Sequence, residues 1–151
     1  MKGVDFKSGI FKLFKQKGFD RRGAVMMLSG SGVTALIGVD KGFGSQWFIN
    51  VGFCFHRLGR NAVDKIEQAD MYFRLERLFP RHRDVILGAG DFGELDQPGM
   101  YQMLLKFLEG EIVCDLKILC DEKEIFNAYG NGRFIQGMVS GGARDLMLAG
   151  K

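Results

Sequence analysis

Beyond an opening helical stretch, the hydrophobic period of this chain changes once, and that change limits the folds open to it. From residue 24 to Pro80, strand-length apolar runs and two-residue alternation prevail; after about Met100 apolar residues recur every three to four residues. Alternation puts every second side chain on one face of a strand, whereas the longer spacing builds the apolar stripe of a helix. The clearest strand is 46–55. Trp47, Ile49, Val51, Phe53 and Phe55 share one face, expected to be core, and Phe48, Asn50, Gly52 and Cys54 share the other. That second face is mixed, so it is either lightly covered or ligand-facing. Asn50 is out of place by strand propensity and is expected to bond locally or to lie near an edge.

Elements on either side follow from the same rule. Phe6, Ile10, Leu13 and Phe14 predict an amphipathic helix over 4–17, stopped by Gly18. Packing on a sheet is its expected fate, with the membrane surface as the alternative. Residues 24–28 and 33–39 are apolar runs of strand length, and Ser29-Gly30-Ser31-Gly32 between them suggests a hairpin. Residues 61–68 read as a loop or a short helical turn. Residues 70–79 alternate again and predict a fourth strand closed by Pro80. Residues 81–99 read as a long connection. Helices follow from residue 100, with stripes at Met103, Leu104, Phe107 and Leu108 and at Ile112, Val113, Leu116 and Leu119. Asp121 is an expected N-cap, with Glu124 at the capping-box position. A helix bearing Ile125, Phe126 and Tyr129 ends at Gly130-Asn131-Gly132, and a last helix covers about 138–149. The expected fold is α+β: an N-terminal helix, an antiparallel sheet of about four strands, and C-terminal helices packed on one face. At 151 residues the chain is expected to be a single domain, 1–151.

Composition narrows the function classes. Cys54, Cys114 and Cys120 form no CxxC pair, and an odd count argues against a disulfide framework. With only His56 and His82 besides, no structural metal site is expected, and reduced thiols fit a cytoplasmic protein. No run approaches a membrane span, and the lysine-rich start does not read as a secretory signal. Charge is uneven. Residues 1–60 carry ten Lys/Arg against three Asp/Glu, while residues 91–124 hold nine acids against three lysines. These acids are expected to be solvated helix faces or a surface that steers a basic partner. On the second reading the partner-binding residues are Asp91, Glu94, Asp96, Glu109, Glu111 and Asp115.

Several motifs imitate chemistry. Gly88-Ala89-Gly90-Asp91-Phe92-Gly93 matches GxGxxG after Val85-Ile86-Leu87. Dinucleotide binding needs a helix that opens at the glycines, and Pro98-Gly99 would break it within two turns. No cofactor is therefore expected. His82-Arg83-Asp84 and Asp91-Phe92-Gly93 spell two kinase signatures too close together, without the metal-binding Asn or the strand lysine. Cys54 and His56 share a strand face, but i and i+2 side chains sit far apart for a hydrogen bond, so no catalytic residue is expected. A polar cluster of Arg74, Arg77, Arg81, His82 and Arg83, with Glu76 among them, reads as a solvated strand end or as a phosphate or nucleic-acid site.

Three stretches carry a resemblance: Leu13-x4-Gly18-Phe19-x3-Gly23, then Phe48-Ile49-Asn50-Val51-Gly52, then Arg74-Leu75-Glu76-Arg77-Leu78. Over about residues 5–130 the order resembles domain-of-unknown-function family 4304, small and mostly bacterial proteins. The resemblance implies no agreed reaction and no catalytic residues. It implies a general kind of small protein among which some act as immunity partners to bacterial toxins. The expectation is a non-enzymatic binding module, an immunity protein that occludes a cognate toxin domain. The alternatives are a nucleic-acid or phosphate binder and an uncharacterised small enzyme.

Overall fold

The computed structural model describes residues 3–59, 63–93, 98–135 and 137–149. Helix α1 (Gly3–Gln16) leads into four strands, β1 (Asp20–Arg22), β2 (Val25–Ser29), β3 (Val33–Lys41) and β4 (Trp47–Phe55). Then come β5 (Met71–Arg74), α2 (Leu75–Leu78), α3 (Arg83–Ala89), α4 (Pro98–Phe107), α5 (Val113–Leu119) and α6 (Glu122–Gly130). The short strand β6 (Met138–Val139) and helix α7 (Gly141–Ala149) follow. The sheet is antiparallel throughout in the order β1-β2-β3-β4-β5-β6. The class is α+β, with helices over one face of the sheet.

Helix α1 forms because Phe6, Ile10, Leu13 and Phe14 make one apolar stripe, and all four are buried against the sheet. It stops at Gly18, whose φ of +98° is a conformation that side chains with a Cβ avoid. The chain then turns so that Phe19 packs edge-on against Phe14, ring centroids 4.9 Å apart. Between β2 and β3 the pairing runs from Val25–Gly38 to Ser29–Thr34, and between β3 and β4 from Val33–Phe55 to Lys41–Trp47. That register puts Ala35, Ile37, Val39, Ile49, Val51, Phe53 and Phe55 on the helix-covered face, all buried. Burying each large side chain contributes roughly 1.5–3 kcal/mol. Trp47, at the strand's start, is only partly covered.

The opposite face is half covered. A single turn, Ile66–Gln68, lies over Gly38 and Gly52, and a small cluster forms from Val25, Leu36, Cys54 and Ala69. A Cβ on Gly52 would stand 3.0 Å from both Ala69 Cβ and Ile66 Cδ1, so glycine permits this close seat. Of the two readings for the second face, the strand's far half is therefore lightly covered. The half near Phe48 and Asn50 stays open.

Four expectations are corrected. The fourth strand ends at Arg74: Leu75 and Leu78 are both buried at i, i+3, which a helical turn satisfies and a strand does not. The stretch 81–99 holds helix α3, which buries Ile86 and Ala89 at the same spacing. The last helix begins at Gly141, because Val139 and Met138 pair with Met71 and Tyr72 as an added edge strand. The strand count is six, since β1 and β6 are too short and too exposed to show an apolar alternation. Elsewhere Asp121 caps α6, its Oδ1 accepting from the Glu124 amide at 3.1 Å. The long helical stripe is interrupted by a wider turn over Leu108–Ile112, which buries Leu108 and Ile112 and leaves Gly110 exposed.

Buried Asp70 ties the sheet to its C-terminal edge. Its Oδ2 accepts from the Phe55 amide at 2.7 Å, and its carbonyl accepts from Ser140 N–H at 2.9 Å. Asp70→Ala strands a buried N–H, and a loss of about 2–3 kcal/mol is expected in chemical denaturation. A loss below about 0.5 kcal/mol would contradict this role.

Candidate functional site

The open half of the second face is built by register. Asn50 on β4 stands opposite Gly38 on β3 and Arg74 on β5, and Gly52 stands opposite Tyr72. Beside the Ile66–Gln68 turn lies a cleft of about 370 Å³, lined among others by Asp40, Asn50, Glu67, Tyr72, Arg74 and Arg77. The Arg74 guanidinium carbon lies over the Phe48 ring, 3.6 Å from its centroid, a cation–π contact. Asn50 Nδ2 donates to Asp40 Oδ1 at 2.9 Å, the local bond expected of a polar residue in mid-strand. Met138 on β6, 59% exposed, adds an apolar side chain to the lining.

The arginine cluster divides. Arg74 and Arg77 line the cleft. Arg81 and His82 turn toward the helices, where His82 Nε2 donates to Glu111 Oε2 at 2.7 Å and Arg81 lies 3.9 Å from Glu111 Oε1. His82 is buried and stacked on Phe107, ring centroids 3.9 Å apart. Arg83 opens α3 and is exposed. Glu76 is the exception to surface placement. It is 6% exposed, and its Oε2 has no hydrogen-bond partner. Burial raises its pKa above the usual carboxylate value, against the pull of its own amide and of Arg74, Arg77 and Arg83.

A raised folded-state value means that ionising Glu76 opposes folding. Its contribution is fully present below the unfolded value and is lost as pH rises through the folded one. Glu76→Gln is expected to stabilise the protein by about 1 kcal/mol at neutral pH. That gain should shrink toward zero as melting is repeated at falling pH. A pH-independent difference between the two proteins would refute the assignment.

The acidic residues are less free than their number suggests. Asp91 accepts from Ser45 Oγ and from the Gly93 amide, each at 3.0 Å. Glu109 lies 3.5 Å from Lys17 Nζ, Glu111 holds His82, and Asp115 pairs with Arg133. The hydrogen bond from His82 lowers the Glu111 pKa. Glu94 and Asp96 lie outside the described residues. Two of the six proposed partner contacts are thus unplaced, and the other four carry internal partners.

The glycine motif is not in a phosphate-binding setting. Val85-Ile86-Leu87 is helical, and α3 ends at the glycines instead of opening there. Gly90 serves a close approach. Its carbonyl accepts from Trp47 N–H at 2.7 Å, and a Cβ would stand 2.3 Å from Trp47 O. Cys54 is buried, and His56 Nε2 is 2.8 Å from Thr34 Oγ1, which in turn is 2.9 Å from Ser29 Oγ. Burial pushes the Cys120 thiol up to about 11, so it is a poor nucleophile at neutral pH. No family model, curated protein or solved structure matches this chain. Among the described residues no cluster is placed to hold a metal ion, and no helix is long and apolar enough to cross a membrane.

Met138 is a contributor that sequence reasoning did not single out for a site. Phe48 reads in the sequence only as one residue of a face either lightly covered or ligand-facing. Its stack with Arg74 joins residues 26 positions apart and exists only once β4 and β5 pair.

Proposed function

We propose that the protein is a non-enzymatic binding module, and in its concrete form an immunity protein that occupies a bacterial toxin domain. The observation that carries this reading is the make-up of the open sheet face. Arg74 held over Phe48, beside Tyr72, Arg77 and the exposed Met138, gathers side chains that dominate protein interfaces. Arg74 is pre-oriented by its stack, so ordering it on binding costs less rotamer freedom. The resemblance to family 4304 points the same way. We assign the partner contact here, and not to the acidic stretch 91–124, because Glu109, Glu111 and Asp115 already face cationic or histidine side chains within the chain and Asp91 is held by Ser45 and the Gly93 amide.

A phosphate or nucleic-acid ligand fits this cleft less well. Asp40 and Glu67 line it beside the two arginines, and carboxylates repel phosphate while they pair with the mixed charges of a protein surface.

Co-expression with the product of the gene directly upstream tests the proposal. A stable complex and rescue of toxin-poisoned cells are expected. Tyr72→Ala combined with Arg74→Glu is expected to weaken the complex about 100-fold or more while the fold persists. Neither complex nor protection from the wild-type protein would discard the immunity reading. A salt-sensitive shift of generic RNA or DNA, lost in Arg74→Ala/Arg77→Ala, would move the function to the phosphate alternative.

A further inference from the structure

A second surface lies on the helix-covered side of the sheet, at its β1 edge, and shares no residue with the cleft at Arg74. We propose that the groove between α1 and strands β1 and β2 docks an acidic, amphipathic peptide segment of a partner protein. The inference stands whether or not the immunity reading holds.

The groove measures about 500 Å³. Lys7, Lys12, Lys15 and Arg21 form its walls, and the buried Phe11 and Met26 form its floor. Two of the cations gather on the floor's ring: Lys7 Nζ is 5.5 Å and Arg21 Cζ 5.3 Å from the Phe11 centroid. The apolar stripe of α1 is spent on the sheet, which removes the membrane-surface alternative for that face and leaves the lysine edge outward. Among the described residues no carboxylate lines the groove. Among the described residues none of its four cations forms an ion pair, whereas Lys17, Arg57, Arg81 and Arg133 all do. The unneutralised positive charge of the chain's first half is therefore concentrated here, and its potential selects an anionic partner.

The shape decides which anion. Stacked nucleobases need an open aromatic face, and Phe11 is only 6% exposed. Val4, 62% exposed, is the accessible apolar side chain of the lining, and beside four cations it fits a Leu or Phe side chain flanked by carboxylates. Lys7 and Lys15 are eight residues apart on one helix, a span of about 12 Å. An extended peptide covers that length in about four residues, with side chains alternating between floor and walls.

The test is an NMR titration of the full-length protein with a synthetic octapeptide alternating Asp/Glu with Leu/Phe. An all-Glu octapeptide, oligo-dT and a short DNA duplex are run beside it. Amide shifts are expected to gather at Lys7, Phe11, Lys12, Lys15, Arg21 and Met26. Affinity should fall about tenfold or more in Lys12→Glu/Lys15→Glu and severalfold for the all-Glu peptide. Both lysines are exposed, so unchanged spectra elsewhere verify the fold of the variant. No shifts at millimolar peptide, shifts outside the groove, or equal binding by the variant or by the all-Glu peptide would overturn the proposal. Tighter binding of either DNA than of the alternating peptide would also overturn it and assign the groove to nucleic acid.

Discussion

Phe53→Ala is expected to cost about 3–5 kcal/mol and to leave little folded protein at ordinary growth temperatures. Phe53 is fully buried in the middle of β4, paired in register with Ala35 on β3 and Met71 on β5. Its ring centroid is 6.1 Å from that of Phe134, which in turn is 5.3 Å from that of Phe73. A strand with hydrogen-bonded neighbours on both sides cannot collapse into the void, so most of the cavity would remain. Urea denaturation reads the effect. Phe43→Ala, which removes an almost wholly exposed ring, is expected to stay within about 0.5 kcal/mol of the parent. Similar costs for the two alanines would contradict the assigned core.

Gly30→Val is expected to cost about 3 kcal/mol, by obstruction instead of by loss of packing. A Cβ at this position would stand 2.0 Å from the Cys120 carbonyl oxygen and 2.5 Å from Cys120 Cβ. The approach is fixed by backbone bonds: Ser31 N–H donates to Cys120 O at 2.8 Å, and Glu122 N–H to Ser31 O at 3.1 Å. The β2–β3 loop and the α5–α6 junction would have to separate, straining the same turn that Asp121 caps. Gly99→Ala, where nothing lies within 4 Å of the added carbon, is expected to be neutral or stabilising by up to about 1 kcal/mol. Thermal melts of both variants decide this. Equal melting temperatures would mean that the loop is not clamped.

These two positions also mark what the sequence could disclose. Phe53 was legible, because period-2 alternation over 46–55 needs no knowledge of partners. So were α1, the β2–β3 hairpin and the Asp121 cap, each set by local spacing or local hydrogen bonding. The crossing of Gly30 with Cys120 was not, since it joins residues 90 positions apart. Helices α2 and α3 escaped because four and seven residues are too few to show a helical period against a background of alternation. Strands β1 and β6 escaped because Asp20-Arg21-Arg22 and Met138-Val139 take their strand character from a neighbour. The candidate site was legible in part. Asn50 stood out by propensity and Arg74 and Arg77 by clustering, but the division of the arginines required coordinates. So did the pairing of Glu111 with His82, which ties one candidate surface to the other.

Hydroxyl-radical footprinting of the protein, alone and in complex with the upstream gene product, tests the assignment of the binding face most directly. Strong protection is expected at Phe48, Tyr72 and Met138, with the exposed Met103 and Ile118 on the α4–α5 surface reacting as before. Protection confined to Met103, Ile118 and their neighbours, with Tyr72 and Met138 unchanged, would contradict the account and return the interface to the acidic helices.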